Sequence, residues 1–340
     1  MANQIRVMTS KKGHRYDTAL SAPMAGRVRQ VALPASFPDA ETELLAALAG
    51  VDIFHLHWPE LMFGPNRQGH ARLIELLEER NVKIVWTQHN LLPHTAHRAW
   101  PGIYQLWADA ALGVIHHSHW GMERALWSRC YRPDAVHRVI RHGHWGERRS
   151  NQAVLDRDEL ARPYKMAPER THLGIMGAPR PAKDIRMAVD GFLGSGREDL
   201  DLTIFSLGEG ETLPKHSRLL GRTYTSVNRT TYNRRLAFLD VLLFPIRPDG
   251  TMLTTGLIGD AIAVAKPAIV SDWPFLTETF GDAAIVFGSD AAGLSRCLAG
   301  LDLATLDDRS NAMRALQDEY AWERSAEATV GLFEEVIGRQ

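Results

Sequence analysis

The stretch "VDIFHLHWPE", Val51 to Glu60, decides how the chain is read. An apolar run broken only by Asp52 leads into two histidines, a tryptophan and, after Pro59, a glutamate. Side chains alternate along a strand with period two, so His55 and His57 fall on one face, at the end where the apolar run stops. Polar groups in that position are metal ligands, catalytic residues or rim groups satisfied by neighbouring backbone. The remainder of the sequence has to choose among these.

Runs of the same kind recur on both sides of it. In the first half they are 5–10, 28–35, 51–58, 83–90, 111–118 and 136–143. Between them lie helix-like segments such as 70–80, "HARLIELLEER", apolar at helical spacing and charged elsewhere. Residues 151–170 break the rhythm with polar residues and two prolines. The alternation restarts at 172–179, 200–208, 241–248, 267–272 and 283–288, and 320–339 reads as an amphipathic closing helix. Strand and helix in alternation mean parallel sheets covered on both faces. The expected architecture is α/β: two doubly wound, Rossmann-like domains facing a central cleft. Residues 1–160 form the first domain, 161–319 the second, and 320–340 a helix returning to the first.

Composition agrees. A chain of 340 residues is long for one hydrophobic core. With 45% hydrophobic residues, 23% charged residues and a net charge of −1, it offers no electrostatic footprint for nucleic acid. No run approaches the roughly 18 apolar residues of a membrane span, and "MANQIRVMTSKK" lacks a signal-peptide core. Peripheral membrane contact would need only a small amphipathic surface. Cys130 and Cys297 form no CxxC pair, so a reduced, cytoplasmic protein is expected.

The histidines are placed unevenly. Of 15, 13 lie before residue 150, with most of the nine tryptophans. They follow predicted strands: Lys11, Lys12, Gly13 and His14 after the first; His55, His57, Trp58 and Glu60 at the third; Thr87, His89, Asn90 and His94 at the fourth; His117, Ser118, His142 and His144 later. In a parallel sheet these ends share one edge, where ligands bind. In the second half, "GAPRPAKDI" sets Gly177, Arg180 and Lys183 between a strand and a helix, an arrangement suited to a diphosphate. Thr254, Thr255 and Gly256 open a later helix as a second anion site, with Asp260 one turn in as an acceptor for hydroxyls. P-loop, GxGxxG, GxSxG and HExxH motifs are absent.

Six segments together resemble the GT-B glycosyltransferases, in particular glycosyltransferase family 4 and bacterial polysaccharide mannosyltransferases. They are "VDIFHLHWPE", "IVWTQHNLLPH", "VIRHGHW", "LGIMGAPRPAKDI", "GDAIAVAKPAIVSDWPFLTETFGDAAIVF" and "YAWERSAE". They cover nearly the full length in order. The resemblance implies transfer of a hexose, with mannose from GDP-mannose favoured and retention of configuration, to a saccharide or glycoconjugate hydroxyl. It implies no metal, since fixed cations stabilise the departing diphosphate. Arg180 and Lys183 match the cationic pair, Gly177 the turn, Gly221 to Tyr224 the base-lining segment, and Asp260 the ribose-binding carboxylate. His89 matches a histidine facing the donor sugar. Gly13, His14, His57, Trp58, Glu60 and Asn90 are expected to meet the acceptor. The family's other carboxylate falls on Met252, with Asp249 nearby. An inverting enzyme would need a general base, for which Glu60 or His57 qualifies.

Two rival readings remain. His55-x-His57 is also the metal pair of amidohydrolase-like barrels, where zinc activates water. Met252 permits a GT-B protein that binds nucleotide sugar without transfer.

Overall fold

The structure, a computed structural model, describes residues 4–339 except 12, 36, 38–40, 147–161 and 163–166. Lys12, most of the 151–170 connector and the expected 160/161 boundary lie outside the described residues. Two units result. One joins Met1–Gly143 with Gly250–Thr254 and Ala321–Gln340; the other joins His144–Asp249 with Thr255–Tyr320. His144 and Trp145 already bond within the second unit, donating from their amides to Tyr320 O (2.7 Å) and Gly259 O (3.1 Å).

In the first unit, β1 (Ile5–Thr9), β2 (Val28–Ala32), β3 (Ile53–Leu56), β4 (Lys83–Thr87), β5 (Gly113–His116) and β6 (Val136–Val139) form one parallel sheet in the order β2-β1-β3-β4-β5-β6. Period-two alternation makes both faces apolar. Phe54, Ile84, Trp86 and Val114 bury against the helices Arg67–Glu79 and Trp100–Ala110. Val7, Ile53, Val85 and Ile115 bury with Val330, Phe333 and Val336 of the helix Trp322–Ile337. Each such side chain contributes about 1.5–3 kcal/mol, enough to hold that distant helix on this unit. A Cβ at Gly113 would lie 3.2 Å from both Val336 Cγ2 and Val85 Cγ2, so the helix packs where β5 is bare.

The second unit carries β7 (Thr171–Ile175), β8 (Leu200–Leu207), β9 (Leu219–Thr223), β10 (Val241–Phe244), β11 (Ala268–Ser271) and β12 (Ala284–Phe287), parallel in the order β12-β11-β10-β7-β8-β9. β8 is buried along its whole length. The edge strand β9 has no counterpart among the strand runs read from sequence. Its "LLGRT" is half-exposed and lacks an apolar signature, and it forms by pairing with β8 across a register shift between Ile204 and Leu207.

Both sheets are open, not closed into the barrel that the amidohydrolase reading requires. Among the described residues no helix is long and apolar enough to cross a membrane.

Candidate active site

In the first unit the strands end earlier than their apolar runs suggest, and the polar residues sit on the turns just beyond. β3 stops at Leu56, so His57 and Trp58 lie past it. The amide of His57 donates to Ser10 Oγ at 3.0 Å, and Trp86 Nε1 donates to His57 O at 3.2 Å. These bonds fix the turn.

His14, His57, Trp58 and His89 come together, and Gly13 joins them through Asp17. The His14 ring lies 4.2 Å from Trp58, which stacks on His89 at 4.2 Å. His57 Nδ1 and His89 Nε2 are 3.4 Å apart. The amide of Gly13 donates to Asp17 Oδ2 at 3.4 Å. At the centre is Tyr16, whose ring meets His57, Trp58, His89, His117, His142 and Trp322 within 4.8–6.4 Å. Its hydroxyl bonds Thr87, which also pairs with His55 Nε2 at 2.8 Å.

This cluster is an interior, not a rim. His55, His57, His89, His117 and His142 are each at most 5% exposed. Burial holds His55 and His142 down to about 3 and His117 to about 4, and drives His57 and His89 well below the ordinary histidine range. All five rings are therefore neutral at pH 7. His117 Nδ1 donates to Ile140 O at 2.8 Å, which leaves Nε2 as its lone-pair nitrogen. Burial likewise lifts the Tyr16 hydroxyl above the ordinary tyrosine range.

Glu60 and Asn90 have partners of their own. Glu60 opens the turn of helix Glu60–Phe63 and accepts from Tyr104 OH at 2.7 Å; burial raises its carboxyl and that bond lowers it again, with a net upward shift. Asn90 forms an antiparallel bridge with Met252, and the Leu91 amide donates to Thr251 O at 2.7 Å. Leu253 packs on Leu91 and Ala125. Residues 250–254 thus belong to the first unit, including Met252 and Thr254. Among the described residues no group of three or more His, Cys, Asp or Glu is arranged to hold a metal.

In the second unit the turn after β7 is locked from inside. Gly177 has φ +84°, where a side chain is strained, and a Cβ there would lie 2.7 Å from Leu257 Cδ2 and 3.1 Å from Lys183 Nζ. Lys183 Nζ donates to Met176 O (2.6 Å), Ala178 O (2.7 Å) and Ser206 Oγ (2.9 Å), and Ser206 Oγ donates to Gly177 O at 2.8 Å. An ammonium has three N–H groups, and all three are engaged in bracing the turn. Burial, then the Arg180 guanidinium, lower Lys183 to about 7. Arg180 itself is exposed, its carbonyl accepting from Lys183 N at 2.9 Å.

A small cavity lies beside this turn, with Lys183, Leu257 and Asp260 in its lining. Asp260 is buried and accepts from Tyr232 OH at 2.6 Å. The helix bearing it is Ile258–Val264, so it starts two residues after Gly256 rather than at Thr254. Thr255 Oγ1 accepts from the Leu257 amide at 3.4 Å, and Gly256 O accepts from Trp145 Nε1 at 2.9 Å. Thr254 Oγ1 is buried without a hydrogen-bond partner. Tyr224 is exposed after β9, its amide donating to Leu207 O at 2.8 Å.

Sequence reasoning passed over Tyr16, Asp17, Ser206, Tyr232 and Trp322. Tyr16 and Asp17 look like the opening of an ordinary helix, Asp17 being a first-turn acid. Only their burial marks them.

Two six-stranded parallel α/β units are the architecture of the GT-B fold. Solved structures share it. HepE from Anabaena in complex with UDP and glucose matches with a TM-score of 0.72 at 11% identity, over 98% of this chain and 100% of that chain. Sucrose-phosphate synthase from Thermosynechococcus elongatus matches at 0.71 and 12%, over 99% and 100%. A glycosyltransferase from Rickettsia africae matches at 0.72 and 11%, over 99% and 100%. No family model and no curated sequence matches the chain. At such identities the likeness speaks for the fold alone.

Proposed function

We propose that the chain is a glycosyltransferase that moves a hexosyl group from a nucleoside-diphosphate sugar to a hydroxyl of a saccharide or glycoconjugate. The observation that carries this reading is the turn after β7, where Gly177 at positive φ packs against Leu257 and a buried Lys183 that braces the turn beside an exposed Arg180, on a GT-B fold. HepE, solved with UDP and glucose, supports a nucleotide-sugar substrate.

In the proposed reaction the bond from the anomeric carbon to the diphosphate oxygen breaks while a bond to the acceptor oxygen forms. The acceptor proton leaves with the departing phosphate in a retaining reaction. Arg180 supplies direct hydrogen bonds to the diphosphate. Lys183, its N–H groups committed to the turn, supplies charge and holds the backbone that approaches the ligand. Thr254, Thr255 and Gly256 add anion contacts, Asp260 takes the ribose and Tyr224 lines the base. His89, neutral and stacked on Trp58, hydrogen-bonds a sugar hydroxyl. Gly13, His14, His57, Trp58 and Asn90 receive the acceptor. Glu60, its carboxyl raised by burial, is the general base of an inverting alternative.

Mannose from GDP-mannose is the donor that "HLHWPE" suggests; UDP-glucose is the donor that the HepE structures suggest. A thermal-shift panel of GDP, UDP, ADP and dTDP sugars separates them, because a ligand at 100 times its Kd stabilises the fold by about 2.7 kcal/mol. Product analysis with the binding donor and a sugar acceptor completes the test. No shift with any nucleotide sugar overturns the proposal. Met252, at the place of a sugar-contacting carboxylate, favours a second reading in which the chain binds donor without transfer. Donor binding with neither transfer nor donor hydrolysis would decide for it.

A further inference from the structure

We infer that Asp17 is a positioning residue that, through His57, fixes which ring nitrogen of His89 carries the proton. The three groups follow one another through the two nitrogens of His57: Asp17 Oδ1 is 4.0 Å from His57 Nε2, and His57 Nδ1 is 3.4 Å from His89 Nε2. All three residues are buried, at most 5% exposed. Their surroundings leave little freedom. Asp17 is held by the amide of Gly13 on Oδ2 and by Gln30 Nε2 on Oδ1 at 3.3 Å, while the His57 backbone is pinned to Ser10 Oγ. Trp58 covers the face of His89, and Tyr16 abuts both histidine rings edge-on.

A neutral imidazole has one N–H and one lone pair. Burial keeps both rings neutral, so the pair shares two protons among four nitrogens. With the His57 proton on Nε2, an N–H dipole points at the Asp17 carboxylate, and Nδ1 accepts from His89 Nε2–H. His89 then presents Nδ1 as a lone pair. With the His57 proton on Nδ1, a lone pair instead faces the carboxylate across 4.0 Å of low-dielectric interior, and His89 presents an N–H. At 4.0 Å the Asp17 contact is a charge–dipole interaction, not a hydrogen bond, yet inside a protein such terms are large. The carboxylate therefore selects the first arrangement, and His89 accepts a hydrogen bond from a donor hydroxyl. His57 has no other hydrogen-bond partner at Nε2 that would set its proton differently.

This rests on the proposed role of His89 in transfer, but the tautomer can be read without any activity. The full-length chain is labelled with 15N-histidine, and long-range proton–nitrogen spectra are recorded at pH 7, with His57→Gln and His89→Gln supplying assignments. The expected wild-type result is Nε2–H on both rings. In Asp17→Asn the His57 and His89 signals shift toward Nδ1–H, and kcat falls at least about tenfold while the donor KM stays within about twofold. Asp17→Glu restores the wild-type pattern. Protonation of either ring at Nδ1 in the wild type overturns the inference, as does an Asp17→Asn spectrum unchanged from wild type. Should Asp17→Asn fail to fold, the wild-type spectrum alone decides. Wild-type tautomers as stated with no transfer to any acceptor uphold the relay and refute the glycosyltransferase reading.

Discussion

Trp58 lies flat against His89, the ring centroids 4.2 Å apart and the planes inclined by 15°. Stacked aromatic pairs contribute about 0.5–1.5 kcal/mol beyond the area they bury. Trp58→Ala should lower the unfolding free energy by at least that amount in urea titration and raise the acceptor KM several-fold; Trp58→Phe should recover most of both. An acceptor KM unmoved by Trp58→Ala removes the residue from the acceptor site.

His89→Ala should abolish transfer and leave nucleotide affinity nearly intact, as measured by calorimetry. If both disappear together, His89 is structural, holding Trp58 and Tyr16 in place.

Lys183 is the group whose charge depends on occupancy. Burial lowers it to about 7, and a bound diphosphate favours the charged form and raises it again. Above pH 7 the free protein therefore takes up a proton on binding. Calorimetry with nucleoside diphosphate at pH 8, in buffers of differing ionisation enthalpy, should show uptake approaching one proton in the wild type and none at this site in Lys183→Met. Arg180→Ala and Lys183→Ala should each lower turnover at least tenfold, a loss above ~1.4 kcal/mol of transition-state stabilisation. Wild-type rates in both variants would remove the pair from the reaction.

The histidine cluster makes the first unit sensitive to acid. His55 and His142 near 3 and His117 near 4 are depressed from about 6.5 in the unfolded chain. Between pH 6.5 and 4 the unfolded chain binds protons on these rings and the folded chain does not. Stability must then fall as pH falls, by up to about 1.4 kcal/mol per pH unit for each ring. Urea midpoints followed by tryptophan fluorescence should drop from pH 7 to pH 5; a level profile would mean the rings are open to water.

Gly177→Ala tests the turn after β7. A positive φ costs a residue bearing a Cβ about 1–2 kcal/mol, and the added methyl would press on Leu257 and the Lys183 ammonium. The melting point should fall by a few degrees and nucleotide affinity should fall further than stability does. Ser206→Ala, which removes one acceptor from Lys183 without touching φ, should weaken nucleotide binding with little change in melting point.

Central strands such as β3, β5, β8, β10 and β11 were legible because a parallel sheet buried on both faces needs apolar residues at most positions, and the edge strands β2, β6 and β12 still show through their β-branched residues. β9 did not, since an edge strand with Gly221 and Arg222 draws its stability from pairing with β8. The histidines on strand ends were legible as a group, but their burial was not: a histidine at a rim and one beneath Tyr16 have the same local sequence. Asp17 was invisible for the same reason, as helix position explains a first-turn acid completely.

The sequence by itself determined the order of the strand runs, which polar residues follow them, and that the chain builds two parallel α/β units, because periodicity and turn residues act over a few positions. Only the tertiary structure decided that five histidines are neutral and enclosed, that Lys183 spends its donors on Met176, Ala178 and Ser206, and that 250–254 joins Asn90 and Leu91 in the first unit. Those properties depend on desolvation and on hydrogen bonds between residues far apart in the chain, and no local pattern encodes them.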